Sequence, residues 1–409
     1  MVIIVNPRNY DVVVVGGGIV GLSTAMAIIK SYPKTKIVVL EKESGIATHQ
    51  TGHNSGVIHA GLYYRPGSHK AEFSVNGGKK LRKFCDENGI PYDLVGKLVV
   101  ATSDNEIPAL ENLYQRGTAN GIEGLEIISS AQMAEIEPHA FGVKAIWCPA
   151  TGIVDYSKVA DAYASIIQEH QVDLVLGTEV REIKEQNQKI RVSTTGEDIE
   201  ANYLINCAGM YADRLAEQMG LNTGLRIIPF RGEYYVLKPE RSALVNGLIY
   251  PVPNPEFPFL GVHFTKRIGG SVEAGPNAVL AWAREGYRHL DINVSDVADT
   301  LKFRGFWRMV GRYWKTGMGE FHRSLSKSAF VDALRVMMPE VGPSDLVRAG
   351  AGVRAQAVDL EGKLIDDFRI VASHRSVHVL NAPSPAATAS ISIGEHIRDI
   401  AAENFQLIK

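Results

Sequence analysis

The residues Gly16-Gly17-Gly18-Ile19-Val20-Gly21 have the spacing of a turn that cradles a phosphate. Gly16 allows a tight exit from a strand, Gly18 lets the backbone approach a pyrophosphate, and Gly21 lets a helix pack closely on the strand. Glu41 follows twenty residues after Gly21. A carboxylate there can accept hydrogen bonds from both hydroxyls of a ribose. The set predicts a dinucleotide whose pyrophosphate rests on a helix N-terminus, where unpaired N–H groups and the positive end of the dipole meet it.

Other candidates lie far downstream. His263 sits in the strand-like stretch Leu260-Gly261-Val262-His263-Phe264-Thr265. An imidazole of ordinary pKa, about 6.5, can accept a proton near neutrality. The alternative is a core histidine held by a backbone carbonyl. Arg354, between Gly352 and Gln356, carries a fork that can grip a carboxylate through two parallel hydrogen bonds, or form an interdomain ion pair. In Arg231-Gly232-Glu233-Tyr234-Tyr235, strand alternation puts Arg231 and Tyr235 on one face and Tyr234 on the other. Arg231 and Tyr235 are candidate substrate contacts, with Arg231 for a carboxylate; a structural role is the competing reading. Cys85, Cys148 and Cys207 show no metal-ligand or redox spacing, so no metal site is expected. Reduced thiols point to the cytoplasm.

These residues need elements to hold them. The valine-rich run from Tyr10 to Val15 reads as a central parallel strand. An apolar, Ala-rich helix should follow from Ile19 to Lys30 and stop at Tyr32-Pro33. Ile37 to Leu40 make the next strand. Similar pieces recur far away: Tyr203-Leu204-Ile205-Asn206-Cys207-Ala208-Gly209 is a buried strand ending in a glycine turn, and Val377 to Asn381 is another strand. The latter leads through Ala382-Pro383-Ser384-Pro385-Ala386-Ala387-Thr388-Ala389 into a helix from Ser390 to Glu403. Small residues there would let backbone N–H groups approach a flat ring or a phosphate. This recurrence favours FAD over NAD.

On these tracts the chain resembles the D-amino-acid oxidase/glycerol-3-phosphate dehydrogenase superfamily of flavoproteins. Finer stretches are similar to its L-2-hydroxyglutarate oxidase/dehydrogenase branch. They are the tract Thr51 to Tyr64, Pro229 to Tyr235, Pro258 to Thr265, Gly275 to Val279, Ala351 to Gln356, and Asn381 to Thr388. The resemblance implies an α/β fold, with a Rossmann-like FAD-binding domain and an interleaved antiparallel-sheet substrate (cap) domain. The segments map to 1–88, 150–226 and 340–409 for FAD, and 89–149 and 227–339 for the cap. It implies noncovalent FAD and oxidation of L-2-hydroxyglutarate to 2-oxoglutarate, with hydride passing from Cα to the flavin and electrons then to a quinone or oxygen. His263 becomes the candidate base and Arg354 the carboxylate grip. His59 becomes a flavin or substrate neighbour, with simple packing as its alternative. Asn54, Ser55, Gly209, Pro383, Ser384, Ala386 and Thr388 join Gly16, Gly18, Gly21 and Glu41 around the cofactor. An amine or amino-acid oxidase on the same scaffold, and a non-catalytic flavin-binding protein, are the alternatives.

The 409 residues exceed what one core usually holds, so two domains are expected. A net charge of -2 gives no field for nucleic acid. The N-terminus lacks the parts of a signal peptide, because its apolar run ends in the glycine turn. One local patch departs from the average. Residues 300–328 carry seven cationic side chains against Glu320 alone. Phe303, Phe306, Trp307, Val310, Trp314 and Phe321 follow helical steps on one face, with Arg304, Arg308, Arg312 and Lys315 opposite. That pattern suits an interfacial helix on an anionic membrane surface, with a cap helix packed on its own domain as the alternative. The expected location is cytoplasmic, with peripheral membrane contact.

Overall fold

The computed structural model describes residues 8–253 and 260–409. Pro258 and Phe259, which open one of the resemblance tracts, lie outside the described residues, as do the first seven residues of the apolar N-terminus.

The valine run forms the centre of the first sheet. Strand Arg8–Val15 runs parallel to Ile37–Leu40 on one side and to Ile199–Asn206 on the other. Val12, Val13 and Val14 are fully buried: helices cover one face, and on the other Val13 clusters with Ile183, Ile190, Val192 and Leu215. Ile199–Asn206 then pairs in parallel with Ser376–Asn381. N-terminal, central and C-terminal segments therefore meet in one eight-stranded sheet. Helix Ile19–Ser31 packs between helices Tyr156–Glu169 and Ser390–Asn404.

The second sheet has nine strands and is mostly antiparallel. It contains Lys97–Ala101, Leu225–Leu237, Leu248–Pro251, His263–Lys266, Val272–Gly275 and Leu346–Asp359. Its back face buries Tyr235, Leu237 and Phe264 against Phe330 and Leu334 of helix Lys327–Arg335. The expected boundary at residue 340 shifts. Leu346–Asp359 pairs along nearly its whole length with Leu225–Leu237, so it belongs to the cap sheet, and the third FAD segment begins after it.

Residues 300–328 depart from the expected single helix. They divide among Val294–Lys302, Arg304–Leu325 and Lys327–Arg335. The breaks fall at Phe303 and Ser326, whose backbones are extended. The glycines do not break the long helix. Gly311 and Gly317 face open space, while Gly305 is required: a Cβ there would lie 2.0 Å from the Asp359 carbonyl oxygen. The expected apolar face also divides in two. Phe306 and Met309 pack on Ile228 and Val358. Trp307, Trp314, Met318, Phe321 and Leu325 form a separate exposed stripe, about a quarter turn away at 100° per residue. Arg304, Arg308, Arg312 and Lys315 flank that stripe, away from the packed side.

Candidate active site

A cleft of about 770 Å³ runs from Glu41 past the glycine turn to Arg354, within the range of roughly 300–1,000 Å³ typical of ligand sites. Gly16 has φ 113°, a conformation that favours glycine, and a Cβ there would lie 2.4 Å from the Cys207 carbonyl oxygen. A Cβ on Gly21 would lie 2.0 Å from the Gly16 carbonyl oxygen. Gly18 differs: its nearest neighbour would be Thr51 Oγ1 at 3.4 Å, so the turn leaves room on its cleft side. Gly18 also caps helix Ile19–Ser31 with no side-chain bond. Thr51 Oγ1 accepts from the Ile19 N–H, and Glu41 accepts from the N–H groups of Gly17, at 2.8 Å, and Glu43, at 3.0 Å. These features fit FAD: an open helix N-terminus for the pyrophosphate and, at the cleft wall, a carboxylate oriented by the backbone for a ribose.

The loops over the middle of the cleft are locked to one another. Thr388 is buried, and its Oγ1 accepts from the His59 N–H at 3.1 Å and lies 2.8 Å from Tyr156 Oη and 3.1 Å from the Val57 carbonyl. Asn54 shapes its own loop, donating to the carbonyls of Gln50 and Thr51 and accepting from the Gly56 N–H. Ser55, Gly209, Pro383, Ser384 and Ala386 line the cleft. His59 Nε2 lies 3.3 Å from Ser384 Oγ. Burial, followed by the charges of Lys97 and His263, holds the His59 pKa well below the ordinary imidazole value.

One face of the cap sheet closes the far end. Cross-strand partners share a face, as do alternate residues along a strand. Lys97 pairs with Leu248, two residues before Tyr250; Leu248 pairs with Thr265, two residues after His263. Lys97, Tyr250 and His263 therefore project from the same side. Arg354 pairs with Phe230, and both Arg354 and Tyr234 line the cleft. The positive charge of Arg354 acts on Tyr234, Tyr250 and His263.

His263 is buried, and its Nδ1 lies 2.8 Å from the Gly261 carbonyl. A carbonyl can only accept, so Nδ1 carries the proton and Nε2 keeps a lone pair. The carbonyl contact is the one the core-histidine reading expects, and it leaves the lone pair on Nε2. Burial pushes the His263 pKa down to about 3, with the charges of Lys97 and Arg354 acting in the same direction.

Arg231 and Tyr235 face the other way. Arg231 is buried and forks onto Glu233 Oε1, at 3.1 Å from Nε and 3.0 Å from Nη2, and also donates to the Arg288 carbonyl. Tyr235 packs on Phe330 in the back-face core. Alternation separated the two faces correctly, but the packed helix takes the one expected to meet substrate. Tyr234 is the cleft residue. Among the described residues, Glu43, His49 and Glu285 are close enough to share a cation. The Lys42 ammonium takes that place, 2.6 Å from Glu285, 2.9 Å from His49 and bonded to Glu43. Thr51, at the cleft wall, is a residue that the sequence reading missed, as is the burial of Lys97 on the His263 face of the sheet. A lysine opening an otherwise apolar strand was the available signal for Lys97.

The family model described as FAD dependent oxidoreductase matches residues 11–400. A protein of Indibacter alkaliphilus named L-2-hydroxyglutarate dehydrogenase is 50% identical over 399 residues, covering 97% of this chain and all of that one. The protein of that name from Escherichia coli strain K12 is 49% identical, over 95% of this chain and 92% of its own. The human mitochondrial protein so named is 45% identical, over 98% and 90%. Among solved structures, L-alpha-glycerophosphate oxidase of Mycoplasma pneumoniae with FAD bound superposes with a TM-score of 0.79 at 25% identity, covering 98% of this chain and 96% of that one. Glycine oxidase of Geobacillus kaustophilus shares the fold, with a TM-score of 0.72 at 18% identity, over 98% and 97%.

Proposed function

The chain belongs to the FAD dependent oxidoreductase family, and from that premise we propose that it oxidises L-2-hydroxyglutarate to 2-oxoglutarate. FAD, when bound noncovalently in the cleft, accepts the hydride that leaves C2. The remaining work falls to the chain. Arg354 holds the carboxylate next to C2 through its planar fork. His263 Nε2 takes the hydroxyl proton. The observation that carries the reading is the His263 tautomer, with Nδ1–H spent on the Gly261 carbonyl and Nε2 left to accept. The same carbonyl stabilises the imidazolium that forms. A dianionic substrate also offsets the cationic field of Lys97 and Arg354, which raises the basicity of His263 when the proton must move.

The test uses the purified yellow protein without oxygen. L-2-hydroxyglutarate should bleach the flavin band; glycine, D-alanine and glycerol-3-phosphate should not. Bleaching by one of those three instead, or by none of the four, counts against the reading.

Electron delivery to a quinone at a membrane surface is part of the same proposal, with oxygen as the alternative acceptor. No helix among the described residues is long and apolar enough to cross a membrane. The support is the stripe on Arg304–Leu325, where Trp307 and Trp314 are 57% and 52% exposed beside a basic flank. Exposed tryptophans with cations at their side suit the headgroup boundary of an anionic bilayer.

A further inference from the structure

Lys97 has so far entered only through the field it puts on His263. It opens strand Lys97–Ala101, between the Tyr63 and Tyr250 rings, and is only 2% exposed. Its ammonium lies 4.3 Å from the Tyr250 ring centre and 5.1 Å from that of Tyr63. Among the described residues no carboxylate lies within ion-pair distance of it. Cation–π contact alone repays little of the cost of burying an ammonium. Tyr63, whose ring the ammonium faces, has a buried Oη without a hydrogen-bond partner. A lone ammonium and an unsatisfied hydroxyl, buried together on the substrate side of the sheet, form a site for an anion.

The strand order says which anion. From Leu346–Asp359 the sheet runs through Leu225–Leu237 and Val272–Gly275 to His263–Lys266, then through Leu248–Pro251 to Lys97–Ala101. The His263 strand thus lies between those of Arg354 and Lys97. A substrate with its hydroxyl at His263 and one carboxylate at Arg354 points the rest of its chain towards Lys97. The Tyr250 ring joins the two, stacked 3.8 Å from His263 by ring centres and in contact with the ammonium.

We propose that the Lys97 ammonium and the Tyr63 hydroxyl bind the distal carboxylate of a five-carbon 2-hydroxy diacid, and so select it over monocarboxylic homologues. The assignment rests on the reading of the site as a 2-hydroxy-diacid oxidase. Burial pushes the Lys97 pKa down to about 8, so the group is still mainly cationic at neutral pH, and a bound carboxylate favours that form.

The experiment compares L-2-hydroxyglutarate with L-2-hydroxybutyrate, which keeps C2 and loses the distal carboxylate. It uses the FAD-loaded wild type, Lys97→Met, Lys97→Gln and Lys97→Arg. A lost charge-assisted hydrogen bond corresponds to roughly ten- to hundredfold in kcat/KM. That loss is expected for the diacid with Lys97→Met and Lys97→Gln, with no such loss on hydroxybutyrate, for which removing the Lys97 charge only makes His263 more basic, and with most of the preference restored in Lys97→Arg. Equal losses on both substrates overturn the proposal, as does an unchanged preference. Glutarate titrated against flavin absorbance needs no turnover. It should bind the Met and Gln variants ten- to hundredfold more weakly than the wild type. If the wild type ignores L-2-hydroxyglutarate yet glutarate binding still depends on Lys97, the reaction falls and the carboxylate site stands. If the Met variant fails to hold FAD, Gln and Arg decide: equal glutarate affinity in those two overturns the assignment.

Discussion

The imidazole of His263 and the phenol ring of Tyr250 stack with centroids 3.8 Å apart and planes inclined by 25°. The contact fixes the imidazole plane while the Gly261 carbonyl fixes its tautomer. Rotating the ring to present Nδ1 would break both. The acceptor nitrogen is therefore held in place before substrate arrives, which lowers the cost of aligning a base with a hydroxyl.

Replacing that base should leave the cofactor in place. For His263→Ala we expect flavin reduction by L-2-hydroxyglutarate to slow by about 10²- to 10⁴-fold, the usual contribution of a positioned base, with full FAD content. Anaerobic stopped-flow at the flavin band measures it. A variant that bleaches at the wild-type rate removes His263 from the mechanism.

The pH profile carries its own signature. The lowered pKa of His263, about 3, keeps the imidazole neutral and able to accept a proton as pH falls from 7 to 5. No acid limb from this residue is expected in kcat/KM over that range. Above about pH 8 Lys97 loses its proton, so kcat/KM for the diacid should decline on the alkaline side. An acid limb near 6.5 that vanishes in His263→Ala would mean an ordinary, solvated imidazole.

Two glycines of the same turn should fail differently. A Cβ on Gly21 lies 2.0 Å from the Gly16 carbonyl oxygen, so Gly21→Ala should destabilise the protein even without FAD. A Cβ on Gly18 clears its protein neighbours. Gly18→Ala should leave the apoprotein melting temperature unchanged and weaken FAD binding by about tenfold or more, the scale of an overpacked contact. Apoprotein melting curves with FAD titrations separate the two; equal melting losses would displace Gly18 from the pyrophosphate site.

Arg231 should matter for stability and not for chemistry. Arg231→Leu takes the guanidinium from Glu233, which is 9% exposed and keeps Asn277, Ser324 and His289 as partners, and breaking a buried pair costs up to about 3–5 kcal/mol. We expect a lower melting temperature and an unchanged kcat/KM per bound FAD. A raised KM for the diacid with normal stability would return Arg231 to the substrate pocket.

The exposed stripe makes a separable prediction. Trp307→Ser combined with Trp314→Ser should reduce recovery with anionic vesicles severalfold, while turnover with a soluble acceptor stays at the wild-type level. Wild-type recovery that is the same with anionic and neutral lipid would dismiss the membrane contact.

Local chemistry was legible in the sequence wherever it is contiguous. Gly16 to Gly21 and Glu41 carry their own geometry, and Arg354 stood out between small residues in a recognisable tract. Face assignment was not legible. Alternation paired Arg231 with Tyr235, but only the packing of helix Lys327–Arg335 decides that this side is the inner core. Lys97 gave no sign of its surroundings because its ring partners, Tyr63 and Tyr250, come from remote segments. In the long helix, the stripe that packs and the stripe that is bare are both apolar, so periodicity merged them; only the contacts of Phe306 and Met309 separate the two.

Thr388 closes the cradle by binding segments around Val57 and Tyr156 that come much earlier in the chain. Translation delivers the glycine turn well before Thr388, which lies 331 residues after Val57. Until Thr388 is made the glycine turn has no such fastening, and a fragment ending before strand Ser376–Asn381 lacks one wall of the cleft. Closure of the cradle is thereby coupled to the docking of a segment remote in the chain from the glycine turn it completes.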